Sequence, residues 1–119
     1  MPDTPRERWP EDKVARSFHR SSFKTGFLKL AILKIVEEKP MHGYALMKEI
    51  ERITGEDWKP SPGSVYPALQ ELVRDGLLMV HEEGRKRVYE ITVEGKRASA
   101  FGLEHAQRVL MQLERLLSR

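Results

Sequence analysis

The chain has 119 residues and a mass of 13.8 kDa, room for one domain and a tail but not for two ordinary domains. Apolar residues make up 39% and charged residues 33%, with a mean hydropathy of −0.55, too polar for a membrane protein and too apolar for a wholly disordered chain. Cysteine is absent, which excludes disulfides, iron–sulfur clusters, thiol catalysis and thiolate zinc sites. Lys and Arg number 21 against 18 Asp and Glu, a formal charge of +3 that names no partner until its position along the chain is known.

No apolar run approaches the roughly 20 residues that span a bilayer, so no membrane partner is expected. The opening Met1–Lys13 has no hydrophobic core of a secretory signal, so a cytoplasmic location is expected. Residues 1–26 read as a basic arm, partly irregular or helical, with Pro2, Pro5 and Pro10 breaking its first part. From Lys13 to Val36 there is no Asp or Glu, while Lys13, Arg16, Arg20, Lys24, Lys29 and Lys34 supply positive charge. The first four would lie along one stripe of a helix and could follow a phosphate backbone. A solvated face or an irregular arm would carry the same charges.

Phe27 to Val36 is apolar almost all round, short enough for a buried helix or a strand, with its leucines favouring helix. Such a segment belongs between other elements or at a subunit interface. Glu37-Glu38-Lys39-Pro40 ends it, because the residue before proline avoids helical geometry. A turn at Met41-His42-Gly43 leads into an amphipathic helix over 44–54, with Leu46, Ile50 and Ile53 on its apolar face and Gly55 as its stop. After the loop from Glu56 to Pro60, Ser61 caps a further helix whose first residue is Pro62. Val65, Leu69, Leu72 and Val73 form its apolar face, Gly76 closes it, and Pro67 must lie near the first turn. Its outward face carries Gly63, Ser64, Tyr66, Pro67, Gln70 and Arg74.

Leu77 to Glu82 and Arg87 to Thr92 read as two strands joined at Glu83-Gly84-Arg85-Lys86. Arg85, Lys86 and Arg87 stand at the hairpin tip; Tyr89 and Ile91 share one face, Val88 and Glu90 the other. Thr92 caps a last helix, 93–118, in which Leu103, Ala106, Leu110, Leu113 and Leu117 step by three, four, three and four residues. Val109 and Leu116 widen that seam. At 1.5 Å per residue the helix is roughly 35–40 Å long. The smaller body before it cannot cover that length, so the seam predicts a homodimer through Leu103, Ala106, Val109, Leu110, Leu113, Leu116 and Leu117.

This order of elements is that of a mainly α (α+β) chain: a winged helix-turn-helix over 27–92 with a two-stranded β-wing, then a long C-terminal dimerisation helix over 93–119. The chemistry suits double-stranded DNA. A helix entering the major groove needs a small or hydrogen-bonding N-terminal end, as Ser61 to Gln70 supplies. A basic hairpin tip can reach the flanking backbone or minor groove.

Met41-His42-Gly43-Tyr44-Ala45-Leu46, Ser61-Pro62-Gly63-Ser64-Val65-Tyr66-Pro67-Ala68-Leu69, Gly76-Leu77-Leu78 and Arg87-Val88-Tyr89-Glu90-Ile91-Thr92 with Gly95 together resemble PadR-type transcriptional regulators over about residues 27–97. The resemblance implies a homodimeric repressor of bacteria or archaea, of the short branch with one C-terminal helix, whose winged helix binds palindromic operator DNA. It places Tyr66 on the recognition helix, Gly43 and Tyr44 at the start of the preceding helix, and Arg85 to Arg87 in the wing. The expected DNA contacts are Tyr44, Ser61, Gly63, Ser64, Tyr66, Pro67, Gln70, Arg85, Lys86 and Arg87, although Tyr44 and Tyr66 also suit partial core positions.

Multidrug-sensing members of that family stack flat aromatic ligands between tryptophans on the C-terminal helix. Here the tryptophans are Trp9 and Trp58, so that arrangement is not expected. Phe101 leaves room for a small apolar or aromatic effector at the dimer interface. His19, His42, His81 and His105 are scattered without metal-ligand spacing, and neither a phosphate-cradling glycine loop nor a nucleophile elbow occurs. No cofactor, metal or enzyme activity is expected. The competing readings are a winged-helix protein–protein assembly module and a ligand-responsive sensor with weak, non-specific DNA binding.

Overall fold

The apolar run at 27–36 is helical. The computed structural model describes residues 23–119, and helix α1 runs Phe23–Glu38. It therefore opens before the apolar run begins; Trp9, Lys13, Arg16, His19 and Arg20 lie outside the described residues. Leu28, Ile32, Leu33, Ile35 and Val36 are buried, because α1 packs against every other layer of the domain. Lys29 corrects the charge reading. It is not a surface cation: its side chain is 0% exposed, and its Nζ donates to Glu71 Oε1 at 2.5 Å.

A short strand, β1 (Met41–His42), stands where the sequence suggested a turn, and helix α2 (Gly43–Ile53) follows it. Leu46, Met47 and Ile50 are buried, whereas Ile53, expected on the apolar face, is 57% exposed at the helix's last turn. There the core has already ended. Gly55 closes α2 with a positive φ of 65°; its N–H bonds Arg52 O and the Glu56 N–H bonds Glu51 O, the paired pattern that satisfies terminal carbonyls.

Helix α3 (Pro62–Arg74) has Pro62 at its start and buries Val65, Ala68, Leu69 and Leu72. Ser61 occupies the N-cap position, but its side chain makes no cap bond: the hydroxyl donates instead to Ser64 Oγ at 3.2 Å. The Ser61 carbonyl takes the Ser64 and Val65 N–H groups at 3.0 and 2.9 Å, so the first turn is closed by backbone and not by the serine side chain. Gly76 ends α3 in the same way as Gly55, with φ 79° and the Leu77 N–H on Leu72 O.

Strands β2 (Leu78–Glu83) and β3 (Lys86–Ile91) form the hairpin, each displaced by one residue from the sequence expectation, so that only Gly84 and Arg85 lie in the turn. The sheet has three strands in the order β1-β3-β2, all antiparallel. The extra strand arises because Met41 and His42 pair with Tyr89 and Val88. As the middle strand, β3 buries both Val88 and Tyr89 rather than one face only.

Helix α4 (Val93–Leu117) is 25 residues long. Thr92 caps it as expected: Gly95 N–H donates to Thr92 Oγ1 at 2.9 Å, and the same hydroxyl donates to Gly76 O at 2.7 Å. The root of α4 buries only small residues, Gly95, Ala98, Ser99 and Gly102, so its backbone lies close against the domain. Ser99 Oγ donates to Glu37 Oε1 at 3.0 Å, tying α4 to α1, and Phe101 packs against the core. Beyond that point the helix leaves the domain. Among the described residues no helix is long and apolar enough to cross a membrane.

Candidate nucleic-acid interface

Three elements meet around a cleft of about 450 Å³. The start of α2 contributes His42 to Ala45, α3 contributes Tyr66 and Gln70, and the wing contributes Arg85, Lys86, Arg87 and Tyr89. Tyr66 is half-exposed because its ring lies against the Gly43 backbone. A Cβ built on Gly43 would stand 2.8 Å from Tyr66 Cε1, so glycine is what allows that seat. Tyr44 is 63% exposed, with the Lys48 ammonium 5.7 Å from its ring centroid. His42, the residue before α2, makes no side-chain cap, so the positive end of the helix dipole, at residues that line the cleft, has no side-chain acceptor from its N-cap.

Six of the ten residues expected from sequence line this cleft: Tyr44, Tyr66, Gln70, Arg85, Lys86 and Arg87. Ser61, Gly63, Ser64 and Pro67 do not line it; they are exposed on the neighbouring first turns of α3. Pro67 lacks the N–H that would bond the Gly63 carbonyl, and water can take its place because Gly63 is exposed. The wing charge is more mixed than its tip suggests. Strand register sets Glu83 directly across from Lys86 and Glu82 across from Arg87, while Arg85 sits in the turn with no strand partner.

The family model described as the transcriptional regulator PadR-like family matches residues 32–100, more than half of the chain. The chain belongs to the PadR-like family of transcriptional regulators. The Transcriptional regulator YqjI of Escherichia coli K12 is 37% identical over 98 residues, which cover 82% of this chain but 46% of the relative. The chain thus spans about half the length of that relative. The Transcriptional regulator Rv3488 of Mycobacterium tuberculosis is 34% identical over 97 residues, covering 78% of this chain and 84% of the relative. The solved structure of a transcriptional regulator from Clostridium thermocellum matches with a TM-score of 0.73 at 24% identity, over 80% of this chain and 96% of that one. The last match shares the winged-helix fold with its long C-terminal helix.

In this PadR-like chain, the expected contacts omitted four residues that line the cleft, His42, Gly43, Ala45 and Tyr89, and Lys48, which lies over the Tyr44 ring. Lys48 alone left a signal, as the residue four places after Tyr44 on one helix face. On α4, Leu103, Leu110, Leu113, Leu116 and Leu117 are exposed, and Ala106 and Val109 are half-buried.

Proposed function

We propose that the protein is a homodimeric repressor that binds a palindromic operator in double-stranded DNA, with α3 in the major groove and the wing on the flanking backbone. The observation that carries this reading is the convergence of the α2 amino end, the exposed flank of α3 and the basic wing tip on one cleft. The positive amino end of α2 and Arg85 to Arg87 attract phosphate, while Ser64, Tyr66 and Gln70 offer hydroxyl and amide groups to base edges. In this reading residues 27–92 carry DNA binding, residues 93–119 the dimer contact, and Ser61, Gly63 and Pro67 keep the helix end slim enough to approach the groove.

Binding to the DNA immediately upstream of the protein's own coding sequence, followed by fluorescence anisotropy across a salt series, tests the reading. Arg85→Ala combined with Lys86→Ala is expected to weaken binding and lower the slope of log affinity against log salt by about two for each protomer. An unchanged slope would remove the wing from the interface. Weak binding that ignores sequence would favour an assembly module instead.

The dimer rests on the exposed leucines of α4. Five exposed leucines and Met111 along a helix that has left its domain call for a partner surface. A two-fold pair of such helices would hold the two reading helices about 34 Å apart, one DNA turn. Leu110→Glu combined with Leu113→Glu is expected to yield monomers in sedimentation analysis. A persisting dimer would place the contact elsewhere.

A further inference from the structure

We infer that Lys48 grips a DNA phosphate at the rim of this cleft and that the Tyr44 ring is what positions it. The inference rests on the DNA-binding reading and adds a residue to it.

Helix α2 carries Lys48, Glu49, Glu51 and Arg52 on its outward side. Arg52 is committed within the helix: its Nε and Nη2 donate to the two oxygens of Glu49 at 3.0 and 2.7 Å. That contact holds the Glu49 carboxyl below its ordinary range and raises the Arg52 guanidinium. Lys48 has a different neighbour. Its ammonium lies 5.7 Å from the Tyr44 ring centroid, and among the described residues no carboxylate forms an ion pair with it.

The two kinds of partner have opposite consequences. A carboxylate cancels a cation's charge toward an incoming phosphate, whereas an aromatic face restrains the cation and leaves its full charge. Restraint matters for lysine, whose four-carbon stem otherwise loses rotamer freedom on binding. Tyr44 lines the cleft that Arg85 borders while Lys48 stands behind its ring, so the ring would hold the ammonium at the cleft's edge. Lys86 and Arg87 face Glu83 and Glu82 in the strand register but form no ion pair with them among the described residues, so Lys48 adds a ring-held cation to the three of the wing.

The test is the salt dependence of binding to a fluorescein-labelled duplex of the upstream DNA, by anisotropy, with thermal unfolding confirming that each variant is folded. Lys48→Gln is expected to lower affinity roughly five-fold at moderate salt and the slope by about one for each protomer, while Lys48→Arg keeps the slope. Tyr44→Leu should reproduce the Lys48→Gln slope, Tyr44→Phe should keep that of the parent, and the Tyr44→Leu, Lys48→Gln double variant should fall no further than either single one. A Lys48→Gln slope equal to the parent's overturns the phosphate contact. A parental slope in Tyr44→Leu, beside a lowered one in Lys48→Gln, overturns the positioning role. Arg85→Ala serves as the reference: if it lowers the slope and Lys48→Gln does not, the inference fails and the DNA reading stands. A parent protein with no salt-dependent binding overturns both.

Discussion

Gly95→Ala is expected to destabilise the protein by about 3 kcal/mol, the upper range for forcing one methyl group into a packed site. A Cβ on Gly95 would stand 2.0 Å from the Leu77 carbonyl oxygen and 2.6 Å from Ile91 Cγ1. Both lie at the base of the hairpin, Leu77 just before β2 and Ile91 at the end of β3, and the first is backbone, which cannot rotate away. The gain in helix propensity from glycine to alanine is only about 1 kcal/mol and is overwhelmed. Gly63→Ala provides the contrast, because its nearest neighbour is Ser61 Oγ at 3.8 Å. There the same substitution should stabilise by about 0.5 kcal/mol. Thermal unfolding at one fixed protein concentration separates them: Gly95→Ala should melt roughly 10–15 °C below the parent and Gly63→Ala slightly above it. Equal melting of Gly95→Ala and parent would mean that the root of α4 does not lie against Leu77.

The second large effect lies in the buried ion pair. Glu71→Leu removes the carboxylate set against the fully buried Lys29 ammonium and is expected to cost about 3 kcal/mol. Lys29→Met should cost less, because the Glu71 side chain is 31% exposed and its charge can still be hydrated. The double variant replaces two charges by apolar groups and should recover most of the loss. Urea unfolding of the four proteins closes this cycle. A double variant no better than Glu71→Leu alone would show that the pair does not act as a unit.

Periodicity made much of this architecture legible. Val65, Leu69 and Leu72 are buried at the spacing that marked their helix, and the stops at Gly55 and Gly76 and the cap at Thr92 stand where their chemistry required. What periodicity cannot see is packing between distant segments. Lys29 looked like one more cation in an acid-free stretch, because its partner lies 42 residues away on α3. Met41 and His42 became a strand only through pairing with β3, since two residues carry no alternation of their own. Ile53 fits the apolar stripe yet projects beyond the core, while Met47 takes a buried place. The cleft was legible in part: the wing, Tyr44, Tyr66 and Gln70 came from motif and turn chemistry. The seat of Tyr66 on Gly43 and the glutamates facing the wing depend on tertiary approach and strand register.

The Thr92 hydroxyl has a consequence for how motion can travel through this molecule. One oxygen donates to the end of α3 at Gly76 and accepts from the start of α4 at Gly95, while the Leu77 carbonyl takes the Thr92 N–H at 3.2 Å. The end of α3, the base of the hairpin and the start of α4 are therefore tied together at a single joint. A stalk of this length magnifies whatever happens there: a tilt of about 5° at the joint swings its far end by about 3 Å. The outer leucines of α4 thus lie at the long end of a lever whose short end is hydrogen-bonded to the close of α3.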